Sequence, residues 1–235
     1  MSEQAATLEL RALACERGAR LLFEGIEQRL AAGDALRVSG ANGSGKTSLL
    51  RVVAGLTSEF SGEVRWRGAD TRNTGQSFRA ELLYLGHAVG VKAALSPREN
   101  LQWWADLQFG NQAQQALNTS HAIADALAQF GLGELLDTPC ARLSAGQQRR
   151  VALARLVLAR QPLWILDEPA TALDRDGVTM LEQLCATQLQ RGGLLLLTTH
   201  QPMAIPGMAE LNLDAATAGR CDAQGVPKAV EPDRS

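Results

Sequence analysis

The residues Gly40 to Thr47 (GANGSGKT) carry the most legible chemistry in the chain. Glycine, four variable residues and then Gly-Lys-Thr form the pattern of a phosphate-binding loop. A polyphosphate needs several donors converging on one point. A glycine-rich turn running into a helix N-terminus supplies backbone N–H groups together with the positive end of the helix dipole. Gly40, Ala41, Asn42, Gly43, Ser44 and Gly45 are the expected cradle, since larger groups at the glycine positions would block the approach. Lys46 can reach the β- and γ-phosphates as a mobile charge, and the Thr47 hydroxyl is placed to ligate Mg2+.

Further along, Trp164 to Pro169 (WILDEP) sets two carboxylates side by side. Asp167 suits the outer coordination of the ion held by Thr47. Glu168, offset to the far side of the γ-phosphate, can orient and deprotonate an attacking water. His200 can donate to the γ-phosphate or hold Glu168 and the water in place. His87 also follows an apolar run, with a structural role as its alternative, and His121 is expected on the surface. Ser144, in Leu143-Ser144-Ala145-Gly146-Gln147, is a suitable helix N-cap. The sharper reading makes Ser144 and Gly146 a second anion cradle.

These groups need elements to position them. Ala35 to Ser39 reads as a strand entering the loop, and Thr47 to Gly55 as the helix leaving it. Leu8 to Val38 shows short apolar runs broken by charged turns, the pattern of a small antiparallel sheet. Val64 to Arg67 is a further short strand. Leu82 to Leu85, Leu163 to Leu166 and Leu194 to Thr199 are buried strands ending at His87, Asp167 and His200. Helices are expected over about Ala145–Arg160 and Asp176–Arg191. Apolar runs separated by helices predict a parallel sheet covered on both faces. Ligands bind outside the carboxyl ends of such strands, so four stretches converge on one edge.

About a hundred residues separate the phosphate loop from residue 144, enough for an inserted helical subdomain at about 90–150. Ser96-Pro97-Arg98-Glu99 starts one helix with a capping box, and Ser120 is expected to cap another with Ile123, Leu127 and Phe130 on one face. Trp103 and Trp104 lie about 100° apart on a helix, so one should pack inside while the other faces outward; the alternative covers both with the subdomain's own helices. Residues 108–116 read as a surface link, and 221–235 as a flexible tail after a single domain over 1–220.

Composition sets bounds. With 235 residues, 46% of them hydrophobic, and a net charge of −2, the chain has an ordinary globular balance and no electrostatic footprint for nucleic acid. Cys15, Cys140, Cys185 and Cys221 lie far apart, without CxxC or CxxCH, and read as unpaired thiols. No residue set reads as a direct haem site. The N-terminus lacks the pattern of a secretory signal, and no apolar run approaches membrane-spanning length, so a membrane role would have to come through another polypeptide.

Taken in order, GANGSGKT, LSAGQ, WILDEP, ATALD and His200 resemble the motif set of the ATP-binding cassette family over about residues 8 to 213. The resemblance implies an α/β fold: a P-loop NTPase (RecA-like) parallel sheet core with an N-terminal antiparallel β subdomain and an inserted helical subdomain. It implies ATP and Mg2+ as ligands. It further implies a head-to-tail dimer of the chain with itself, in which Ser144, Gly146 and Gln147 of one copy close on ATP held by the other. Asp174 matches the loop that communicates across that dimer. Two departures stand out: Arg17 falls where many relatives stack an aromatic on adenine, with Phe23 as the alternative, and His87 stands where many carry the lid glutamine. The strings YLGH, LSAGQQRRVALARL and GGLLLLTTHQP also resemble CcmA-type ATPase subunits of bacterial cytochrome c biogenesis. This closer likeness implies haem export, integral membrane partners of the CcmB and CcmC type, and a peripheral place on the cytoplasmic face of the inner membrane. An exporter of another small molecule, or a non-transport cassette ATPase, is the alternative.

Overall fold

The computed structural model describes residues 7–18, 20–110 and 119–214. Its centre is a five-stranded parallel sheet in the order β6-β7-β8-β3-β9, formed by β3 (Ala35–Ser39), β6 (Leu82–Leu85), β7 (Leu163–Asp167), β8 (Leu194–Thr198) and β9 (Ala209–Asn212). Every residue of β7 and β8 is buried. The reason for their unbroken apolar sequence lies in the pleat, which sends alternate side chains to opposite faces. Leu194 and Leu196 enter one core together with Ile165, Leu36 and Val38; Leu195 and Leu197 enter the other with Trp164 and Leu166.

Against the first face lie α1 (Lys46–Val53) and a four-stranded antiparallel sheet ordered β2-β1-β4-β5, made from β1 (Thr7–Arg17), β2 (Arg20–Ala31), β4 (Ser61–Trp66) and β5 (Ala69–Asp70). Where β4 passes the bulge in β1, a Cβ on Gly62 would lie 2.4 Å from the Arg11 and Ala12 carbonyl oxygens, so only glycine fits. A helix that the apolar pattern does not announce, α2 (Thr71–Ala80), bridges β5 and β6; Asp70 caps it by accepting from the Arg72 N–H.

The second face carries α3 (Pro97–Phe109), α4 (Thr119–Gln129), α5 (Ala145–Leu153), α6 (Arg155–Leu158) and α7 (Arg175–Gln190). Ser96 caps α3 in a full capping box with Glu99. Ser120 is not the cap expected for α4: the helix already includes Thr119, so Ser120 lies inside it. The single helix expected over 145–160 is two, α5 and α6, and the chain turns extended at Ala159 (ψ 138°), where α6 ends. Trp104 packs inside, edge-on to Phe109 with ring centroids 5.8 Å apart. Trp103 is 40% exposed with the Lys92 ammonium 3.9 Å over its ring. His121 is exposed, as expected. Cys15, Cys140 and Cys185 are buried free thiols. Cys221, most of the 108–116 link and the expected tail lie outside the described residues.

Candidate nucleotide site

All five parallel strands end on one edge, and the segments leaving four of them build a cavity of about 530 Å3. That volume lies in the ordinary range for small-molecule sites. Between β3 and α1 the loop Gly40–Gly45 turns through positive φ at Gly40, Gly43 and Gly45. Gly45 is the N-cap of α1 at φ 99°, and a Cβ there would sit 3.0 Å from Leu22 Cβ and 3.2 Å from Phe23 Cδ1. The loop therefore hugs β2 so closely that a side chain would push it out of the cradle. Lys46 Nζ donates to the Gly40 and Ala41 carbonyls at 2.8 and 3.0 Å, folded back over its own loop.

Beneath the lysine, the Thr47 hydroxyl donates to Asp167 Oδ2 at 2.9 Å. Asp167 is 1% exposed at the end of β7, and its other oxygen accepts from the Thr198 hydroxyl at 2.7 Å. The same hydroxyl accepts from the Glu168 N–H at 2.9 Å. One side chain on β8 thus spaces both carboxylates. Glu168 itself sits at φ 50°, a left-handed conformation that costs a non-glycine residue about 1–3 kcal/mol. The turn swings its carboxylate into the cavity, where Oε2 accepts from the His200 N–H at 3.2 Å and Oε1 lies 3.5 Å from His200 Nε2.

Asn42, Gly43, Gly45, Lys46, Thr47, His87, Asp167, Glu168, His200 and Arg17 all line this one cavity. Gly40, Ala41 and Ser44 belong to the loop behind it. Phe23 is fully buried and cannot reach a bound base; Arg20 and Leu22 stand beside Arg17 on the wall instead. Ser144, Gly146 and Gln147 lie elsewhere, at the tip of α5: Ser144 Oγ accepts from the Gln147 N–H, and Gln147 Oε1 accepts from the Ser144 N–H. Asp174 is the exposed N-cap of α7. The Gly177 N–H and the Arg150 guanidinium hold its carboxyl below the usual carboxylate range.

Three contributors escape a reading by motif. Thr198 hides in an apolar strand, signalled only by lying two residues before His200. Asp214, just past β9, accepts from the Ala41 N–H at 2.8 Å and so pins the phosphate loop from behind. Arg149, 4% exposed, donates to carbonyls on both sides of the cavity floor. Its signal was position, since it lies four residues before buried Leu153 and so on the inner face of α5. Burial pushes its pKa down, against the pull of Asp167 and Glu168.

The residues fit a nucleotide with a hard cation. Thr47 and Asp167 offer oxygen donors only, and no group of three His, Cys, Asp or Glu side chains is arranged to hold a metal ion by itself among the described residues. Mg2+ is typically held in this way, by one or two protein oxygens with the rest of its shell left to phosphates and water.

The family model described as ABC transporter matches residues 23–171. The chain is 50% identical over 197 residues to a cytochrome c biogenesis ATP-binding export protein CcmA of Pseudomonas fluorescens, covering 84% of this chain and 90% of the relative. It is 46% identical over 207 residues to the protein of the same name in Saccharophagus degradans, covering 87% and 92%. The chain belongs to the ABC transporter family. A solved dimeric structure of a bacterial ABC transporter cassette shares the fold at a TM-score of 0.75 and 20% identity, covering 88% of this chain and 94% of that one. As an ABC ATPase the chain binds and hydrolyses ATP, and the RecA-like core with its antiparallel sheet agrees with the family's fold.

Proposed function

We propose that this ABC ATPase powers the haem exporter of cytochrome c biogenesis. The observation that carries the catalytic half is the pairing of Glu168 with His200 across a cavity whose floor is the Thr47–Asp167 contact. The transport half rests on similarity to the CcmA proteins over most of the chain.

In this reading the Gly40–Gly45 amides and Lys46 hold the β- and γ-phosphates, Lys46 exchanging its two loop carbonyls for phosphate oxygens. Arg17 lies flat against the adenine from the β1 end of the cavity. Thr47 and Asp167 hold Mg2+, which neutralises charge on the phosphates when bound. Glu168 accepts a proton from the attacking water. His200 keeps that carboxylate turned toward the γ-phosphate and donates to it as charge develops. His87, at the cavity rim beyond β6, serves as the lid residue.

Ser144, Gly146 and Gln147 complete the site of a second copy in a head-to-tail dimer, and Asp174 communicates across it. None of the three lines this chain's own cavity, which supports that division. Residues 1–220 act as one ATPase domain with a helical insertion at about 90–150. No described helix is long and apolar enough to cross a membrane, so the reading requires integral membrane subunits of the CcmB and CcmC type and a peripheral place on the cytoplasmic face of the inner membrane. The test is complementation. In a bacterium deleted for its own CcmA-type subunit, the parent chain should restore covalently haem-loaded c-type cytochromes on a haem-stained gel, and a Lys46→Ala variant should not. Restoration of another exporter's activity with no effect on cytochromes would overturn the haem assignment.

A further inference from the structure

Arg149 is buried on the inner face of α5, one turn beyond the Ser144–Gly146 tip. Its guanidinium meets five backbone carbonyls and takes part in none of the ion pairs among the described residues. Nε donates to Pro169 O at 3.1 Å, Nη1 to Gly86 O and His87 O at 3.3 and 3.4 Å, and Nη2 to Asp167 O at 3.2 Å and to Glu168 O. These acceptors come from two loops, one after β6 bearing His87 and one after β7 bearing the two carboxylates. Glu168 is the residue held at positive φ, and its carbonyl is one of the atoms Arg149 grips. A buried cation satisfied wholly by carbonyls of the catalytic loops serves little purpose in packing, where an apolar residue would do. It does fix the spacing between those loops and the helix that presents Ser144.

We propose that Arg149 is a positioning residue: it clamps the Glu168 turn and the His87 loop to α5, so that docking of a partner's nucleotide on the α5 tip sets the carboxylate in its working position. The inference rests on the roles given above to Glu168 and to the α5 tip. A planar fork with five donors can span both loops, whereas the single ammonium of lysine cannot.

The full chain would carry Arg149→Met and Arg149→Lys, with ATP affinity, KM and kcat measured separately. Both variants should bind ATP within about twofold of the parent. Because a misplacement near 1 Å costs on the order of 100-fold, kcat should fall about 100-fold in the Met variant and about tenfold in the Lys variant. Parental kcat, or a loss confined to ATP affinity, would overturn the proposal. Should the Met variant not fold, the Lys variant and the parent decide. On adding Mg2+ and a non-hydrolysable ATP analogue to the parent, amide exchange should slow together at residues 86–90, 144–149 and 167–171. Protection of 144–149 alone would overturn the clamp. An inactive Glu168→Gln beside a fully active Arg149→Met sinks this inference only; a fully active Glu168→Gln sinks the assigned base and the clamp with it.

Discussion

Replacing Thr198 by valine removes one oxygen and leaves the shape of the side chain unchanged. The hydroxyl is fully buried, donates to Asp167 Oδ1 at 2.7 Å and accepts from the Glu168 N–H at 2.9 Å. The first bond is to a charged group and contributes roughly 1.5–3 kcal/mol; the second leaves an unpaired buried amide, at about 1–3 kcal/mol. The two losses share one atom and the turn can relax, so Thr198→Val should destabilise the fold by about 2–4 kcal/mol. For a domain of this size that lowers the melting temperature by roughly 5–15 °C. Thr198→Ser keeps both bonds and loses one buried methyl, at about 1 kcal/mol. The assay is thermal unfolding of all three proteins at one pH, with phosphate release measured at a temperature where each is folded. Valine should also lower kcat well beyond serine, because the Glu168 turn loses its anchor. If the valine variant melts with the serine variant and turns over at its rate, the argument that Thr198 spaces the two carboxylates is wrong.

Glu168→Gln keeps the size and the contact with the His200 N–H but cannot take a proton, so ATP affinity should persist while turnover falls roughly 10²–10⁴-fold; phosphate release at the parental rate would exclude Glu168 as the base. Burial pushes the Cys185 thiol up to about 12 and raises Cys140 as well. Mapped by mass spectrometry at pH 8, both should resist iodoacetamide until urea unfolds the chain, and prompt labelling of the native protein would contradict their placement. Asp174 has a depressed carboxyl in the folded state, so its contribution is present above the ordinary value of 3.8 and is lost as pH falls through the lower folded value. Asp174→Asn should remove that part of the acid sensitivity in urea midpoints, leaving the neutral-pH profile parallel to the parent.

Much of the site was legible because its chemistry is written in short strings with fixed roles. The phosphate loop, WILDEP and the strand ending near His200 each put a polar group after an apolar run, and the parallel sheet gathers such ends on one edge. What escaped has local causes. In α2, Gly75 sits at a kink and only Thr71 and Phe78 are buried, so no apolar stripe marks the helix. β9 is an edge strand of four residues with none fully buried, too polar to announce itself, yet it brings Asp214 to the phosphate loop. Phe23 suggests itself for the adenine by residue type alone. Its place opposite Cys15 in the β1–β2 register turns it into the core, a fact set by pairing across the hairpin. Arg149 acts on backbone atoms, which leave no trace in a side-chain motif.

The proposed Mg-ATP site on this chain is formed by Lys46, Thr47 and Asp167. Calorimetric titration of the full chain with ATP, with Mg2+ and with the ion chelated, tests it most directly. Saturable binding by the parent that tightens with Mg2+, and that is abolished in Lys46→Ala, is the predicted result. No binding by a folded parent, or undiminished binding by Lys46→Ala, would contradict the account.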